Sequence, residues 1–209
     1  MVVAQQSPEG ALTFGKNYAI LNLDWMAVLI DAVKNTTEGQ SFISNCSRWN
    51  DAVHEKDPRP LTIFTSLSFH HGQPELAKGA PFTKLLQGFG SLTTGSPGVQ
   101  IASNFTVDEK DIVLQKTRFY AGAGNALEQI LKAQNIDTVI LSGLSISGVI
   151  LSTIYRLYDL DYNIYVISDN VLQSPMTPEL SKFTLEALLP IMKLKTISIE
   201  EALQALKRS

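Results

Sequence analysis

Cysteine is almost absent from this 209-residue chain: Cys46 stands alone, so no internal disulfide can form. That usage suits a reducing compartment, and a cytoplasmic location is expected. It excludes the small disulfide-stapled class. A chain of this length has no need of staples, because folding can bury roughly 70% of its unfolded surface. Charge is sparse as well. Charged residues make up 18%, the net charge is −3, and no lysine/arginine cluster could track a phosphate backbone, so no nucleic-acid partner is expected. Long apolar runs are missing: stretches such as Val139–Leu141 fall far short of the ~20 residues a membrane helix needs. Residues 1–15 lack the basic and apolar regions of a secretion signal. No Gly-Lys-Ser/Thr occurs, and Gly88, Gly90, Gly95 and Gly98 make no phosphate-binding fingerprint.

What is there reads as a globular domain, with 44% hydrophobic residues. Residues 1–16 read as an N-terminal arm and 17–209 as a single domain. Short apolar, β-rich runs occur at 18–23, 61–65, 111–115, 138–141 and 163–168, with a short candidate last strand at 195–197. Helical spacing fills the gaps between them. Over 41–55 it puts Phe42, Ile43, Cys46, Trp49 and Val53 on one side, and it returns at Ala123–Leu131 and at Ile150–Tyr158. Thr177 before Pro178 looks like a helix N-cap, and Ser198-Ile-Glu-Glu201 is a capping box. Residues 68–98, rich in glycine, proline and hydroxyl side chains, read as a loop over a pocket, with a short helix near 82–86. Alternating strand and helix with right-handed crossovers gives a Rossmann-like three-layer α/β/α sandwich around a parallel sheet of five to six strands.

Ligands in such sheets collect at the carboxyl ends of the strands. That rule brings together Asp24, Lys116 and the Gly143–Val149 turn, which follow the first, third and fourth strands. Each has a plain alternative. Asp24 suits a helix N-cap, Lys116 a surface position, and the two together a structural salt bridge. As a functional pair, the aspartate would act as acid or base and the lysine would stabilise developing negative charge. Trp25, Phe69, Phe119 and Tyr120 are candidate pocket-lining aromatics, although any one such residue is more often plain core. His70 and His71 suit a polar rim, with histidine also a possible proton relay.

An apolar strand ending at Asp24, Lys116 followed by Phe119-Tyr120-Ala121, and Ser142-Gly143 leading into a helix resemble the isochorismatase-like (cysteine hydrolase) family, over about residues 17–175. The resemblance implies a triad of aspartate, lysine and cysteine, with Asp24 and Lys116 on the first two positions. The family cysteine lies six residues after the glycine that ends the fourth strand and four before a threonine; counted from Gly143 or back from Thr153, that position holds Val149. Valine cannot form a thioester, so covalent cysteine hydrolysis is not expected. Cys46, beside Phe42 and Trp49, reads as core. The resemblance also covers true isochorismatases, which carry glycine at that position and cleave a vinyl ether by protonation; Gly148 is one residue away. The metal-binding Asp-x-His of nicotinamidases corresponds to Ser68-Phe69-His70, with serine in place of the aspartate, so no metal is expected.

The expected function is therefore a hydrolase-like enzyme without a cysteine nucleophile. It would act on a small organic molecule through Asp24 and Lys116, with Trp25, Phe69, His70, Phe119, Tyr120, Ser147, Gly148 and Val149 around the substrate. No cofactor and no membrane partner are expected, and the protein is expected to form a homo-oligomer. The alternatives are a lyase, isomerase or cyclase in the same pocket, or a catalytically silent ligand-binding relative.

Overall fold

A computed structural model describes residues 10–175 and 177–209. Its centre is a six-stranded, wholly parallel sheet in the order β3-β2-β1-β4-β5-β6. The strands are β1 (Tyr18–Leu23), β2 (Leu61–Leu67), β3 (Ile112–Lys116), β4 (Thr138–Leu144), β5 (Asn163–Leu172) and β6 (Lys195–Ile197). The connections diverge between β1 and β4, so the strand order reverses there and opens a crevice at the carboxyl ends of both.

β1 and β4 are buried along their whole length, as central parallel strands must be. Their side chains alternate between two cores. Ile20, Ile140 and Leu144 face a cluster built on α1 (Ala27–Val33), α2 (Thr37–Glu55) and the C-terminal α8 (Ile199–Arg208). Leu21, Leu23, Val139 and Leu141 face the opposite cluster, on α4 (Leu127–Ala133), α5 (Leu151–Tyr158) and α7 (Leu189–Ile191). The result is the expected three-layer sandwich. A smaller cluster of Met26, Leu67, Phe69, Leu92 and Val99 closes the carboxyl edge near α3 (Pro81–Leu85); α6 (Pro178–Phe183) follows β5.

Several local expectations change. The first long helix begins at Thr37 and is preceded by α1, which has no side-chain cap and no acidic first turn to announce it. The helix after β3 starts at Leu127; Ala123 and Ala126 lie in the turns before it. β2, β4 and β5 run beyond their apolar cores, and Lys116 is the last residue of β3. Residues 1–9 of the expected arm lie outside the described residues. The end of that segment is tied to the domain: Phe14 is buried against Tyr18, Trp49 and Tyr165, and its amide donates to Ser209 Oγ at 2.8 Å. The capping box at Ser198 forms in full, with both Ser198–Glu201 bonds present.

Gly143 sets how closely β4 approaches the end of β1. A Cβ there would lie 2.4 Å from the Leu23 carbonyl oxygen and 2.7 Å from Leu23 Cβ. Neither atom can swing away, because both belong to a fully buried strand. Gly143→Ala should therefore destabilise the fold by about 1–3 kcal/mol, read as a lower urea midpoint. An unchanged midpoint would show that the two strand ends tolerate separation.

Candidate active site

β1 ends at Asp24, whose φ of 57° lies in the left-handed region. Aspartate tolerates that conformation better than most residues, yet it costs roughly 1–2 kcal/mol. Bonds from β2 and β3 hold it there. The Asp24 amide donates to Thr65 Oγ1 at 3.1 Å, and the Thr65 hydroxyl donates to Asp24 Oδ1 at 2.7 Å. Lys116 reaches over the end of β2 to place its ammonium 2.8 Å from Asp24 Oδ2. Both partners are buried, at 4% and 1% exposure. The ammonium also donates to the carbonyls of Arg118 at 2.9 Å and Phe119 at 3.2 Å. All three of its protons are thereby engaged.

Asp24 lines a cavity of about 250 Å³. One wall comes from α1 and its approach (Met26, Val28, Leu29), another from the segment after α3 (Leu86, Phe89, Leu92), and a third from Phe119. Leu144, Ser145, Ser147 and Val149 close it from the end of β4, and Gln173 to Pro175 from the end of β5. Among the described residues, Asp24 is the only ionisable side chain in this lining. A neighbouring hollow of about 610 Å³ shares Leu86 and Leu92 as its wall.

The β4 turn enters α5 through a single wide, π-type turn, Ile146–Ile150. Amides of a helix's first turn have no acceptor within the helix. Ser147 N–H donates to Gln173 Oε1 at 2.9 Å, while the amides of Gly148 and Val149 donate to no residue outside this turn among the described residues. Val149, not Gly148, lines the cavity. A Cβ on Gly148 would sit 3.0 Å from both the Phe119 ring and Ser145 Oγ. Thr153 is buried and accepts the Ala121 amide at 3.1 Å.

The structure thus brings Asp24, Lys116, Phe119, Ser147, Gly148 and Val149 together, and it places the other four candidates elsewhere. Trp25 is fully buried in the opposite core against Phe64 and Phe105, with ring centroids 5.7 and 4.4 Å away. Packing against those two rings holds the indole there, and its neighbour Met26 takes the cavity side. Phe69 packs behind the wall with Leu67 and Leu92 rather than in it. His70 is 84% exposed and paired with Glu75. Tyr120 turns toward α4, donating to Glu128 Oε1 at 2.8 Å; burial and that carboxylate push its phenol pKa up.

Thr65 and Gln173 were not expected. A strand threonine reads only as a β-former, and the polar Asp169-Asn170 ended the apparent fifth strand too early to show Gln173 at its tip. Cys46 is buried in the α2-side core with Trp49, its thiol toward the Asn170 carbonyl at 3.9 Å, and burial pushes its pKa well up. Among the described residues the one grouping with metal-ligand spacing is His54, Asp108 and Asp111. There Arg59 bonds both carboxylates, so a guanidinium already occupies the place of a cation.

Removing one member of a buried ion pair strands the other, at a cost of about 3–5 kcal/mol. Lys116→Met should lower stability by that amount. Adding Asp24→Asn to it should cost less than the two single changes summed, because the stranded charge disappears. Chemical denaturation of the four proteins measures the difference; strict additivity would mean the two side chains do not interact.

The isochorismatase domain model matches residues 18–194. No curated protein matches the sequence. Among solved structures, the fold is similar to an isochorismatase family protein from Burkholderia thailandensis, at 18% identity and TM-score 0.77, covering 94% of this chain and 99% of that one. It is also similar to a cysteine hydrolase from Pseudomonas syringae pv. phaseolicola, at 12% identity and TM-score 0.80, covering 97% and 99%. A pyrazinamidase/nicotinamidase from Streptococcus mutans is similar at 19% identity and TM-score 0.72, covering 86% and 99%. At these identities the likeness speaks for the fold, and the domain match over most of the chain settles the family: this protein belongs to the isochorismatase family.

Proposed function

We propose that the protein is a hydrolase-type enzyme of this family that acts on a small organic molecule without a covalent cysteine intermediate. The observation that carries the reading is the Asp24–Lys116 pair, held 2.8 Å apart with its carboxylate in the cavity wall, across from a nucleophile position occupied by Val149. Asp24 exchanges a proton with the substrate or with a water beside it. Lys116, its protons committed, acts through charge and position and keeps the carboxylate from being stranded as the reaction proceeds. The amides of Gly148 and Val149, which donate to no residue outside their turn among the described residues, supply donors for an oxygen that gains negative charge.

A second reading is a lyase, isomerase or cyclase in the same pocket. The mainly apolar walls favour it, since chemistry that water would divert needs water kept out.

Asp24→Asn should lower turnover by about 10²–10⁴-fold, the usual contribution of general acid–base catalysis. Cys46→Ser should leave it unchanged. The assay is steady-state turnover against enol ethers, amides and carbonyl compounds accepted by the native protein. Full activity in Asp24→Asn would make the pair structural, and a trapped adduct on Cys46 would overturn the non-covalent route.

A further inference from the structure

We infer that the cavity selects an uncharged substrate with a hydrocarbon body and one compact polar group at its reacting end. The inference rests on the proposed function only in taking this cavity as the substrate site. It comes from how charge and polarity are distributed in the wall. Asp24 is the sole ionisable side chain there among the described residues, and its charge is already matched by Lys116 at 2.8 Å.

An anionic substrate would meet no free cation among the described residues of the wall. Lys116 has its three protons on Asp24, Arg118 O and Phe119 O. Arg118, the next cation along the chain, lies over the Phe82 ring at 5.1 Å and donates to the Thr117 and Glu75 carbonyls. A cationic substrate would have to displace Lys116 from Asp24. An unpaired charge of either sign in such a site pays its desolvation with little return, since the turn's amides offer an anion hydrogen bonds but no opposite charge.

The polar groups gather at one pole. Asp24, Ser145, Ser147, Gln173 and Ser174 lie at the carboxyl ends of β1, β4 and β5. Leucine, valine, methionine and phenylalanine side chains make the remainder, except for Pro175. At about 250 Å³ the space is just under the usual range for small-molecule sites, about 300–1,000 Å³. That size matches a short chain or a single ring.

The test uses probes of similar length and needs no turnover. Hexanamide, hexanoate and hexylammonium are titrated into the native protein by ligand-observed NMR, together with butanamide and pentanamide. Hexanamide should bind at least about tenfold more tightly than either ion. Each added methylene in the amide series should tighten binding about three- to fourfold, the worth of burying one CH₂. Leu85 lines the mouth and is 51% exposed, so Leu85→Arg can be made without disturbing the core. It should raise hexanoate affinity about tenfold and leave hexanamide within about threefold. Hexanoate or hexylammonium binding the native protein as tightly as hexanamide overturns the inference, and so does a flat amide series or no binding by any probe. The two proposals fail separately. Selective binding of amides with turnover indifferent to Asp24→Asn would sink the catalytic reading alone. Asp24-dependent turnover of carboxylate substrates would sink this one alone.

Discussion

A carboxylate and an ammonium buried 2.8 Å apart are tolerated only when every remaining proton and lone pair nearby is accounted for, and the upper edge of the sheet is arranged around that demand. Thr65 supplies a donor to one carboxylate oxygen and an acceptor to the Asp24 amide. The carbonyls of Arg118 and Phe119 take the two lysine protons that Asp24 leaves over. The strand order puts β2 between the partners, so the lysine lies across the end of β2, where Thr65 is polar enough to share the carboxylate. Gly143 completes the frame on the other side by letting β4 come close to Leu23.

The two faces of the sheet carry different responsibilities. The α1, α2 and α8 side absorbs Trp25, Trp49 and Cys46 in its packing and lends the cavity Leu29 and Leu144. Val149 belongs to the other layer and to the cavity at once. Its side chain closes that part of the wall with apolar surface.

How much of this the sequence disclosed depends on the physics of each signal. Buried parallel strands are continuous apolar runs, so β1 was legible to the residue, and the rule of strand carboxyl ends selected Asp24 and Lys116 from among 37 acidic and basic side chains, 20 and 17. Side-chain direction after a strand was not legible. Asp24 sits at a positive φ, and which of Trp25 and Met26 then faces the cavity depends on packing against Phe64 and Phe105, residues far along the chain. Tyr120 was drawn away by Glu128 and His70 by Glu75, partners that no local pattern announces. Thr65 went unnoticed because its value lies in a hydrogen bond across 41 positions of sequence. α1 is short and uncapped, so it depends on tertiary burial of Ile30 and Val33 rather than on propensity.

The shared wall of Leu86 and Leu92 has an evolutionary meaning. Two leucines separate a site of about 250 Å³ from an adjoining hollow of about 610 Å³, and neither belongs to a strand of the central sheet or to the framework around Asp24. Trimming either side chain would thin the wall between the two spaces while the Asp24–Lys116 pair stayed where it is. Within this scaffold, the length of the cavity can change through single substitutions in a surface segment, independently of the buried pair at its base.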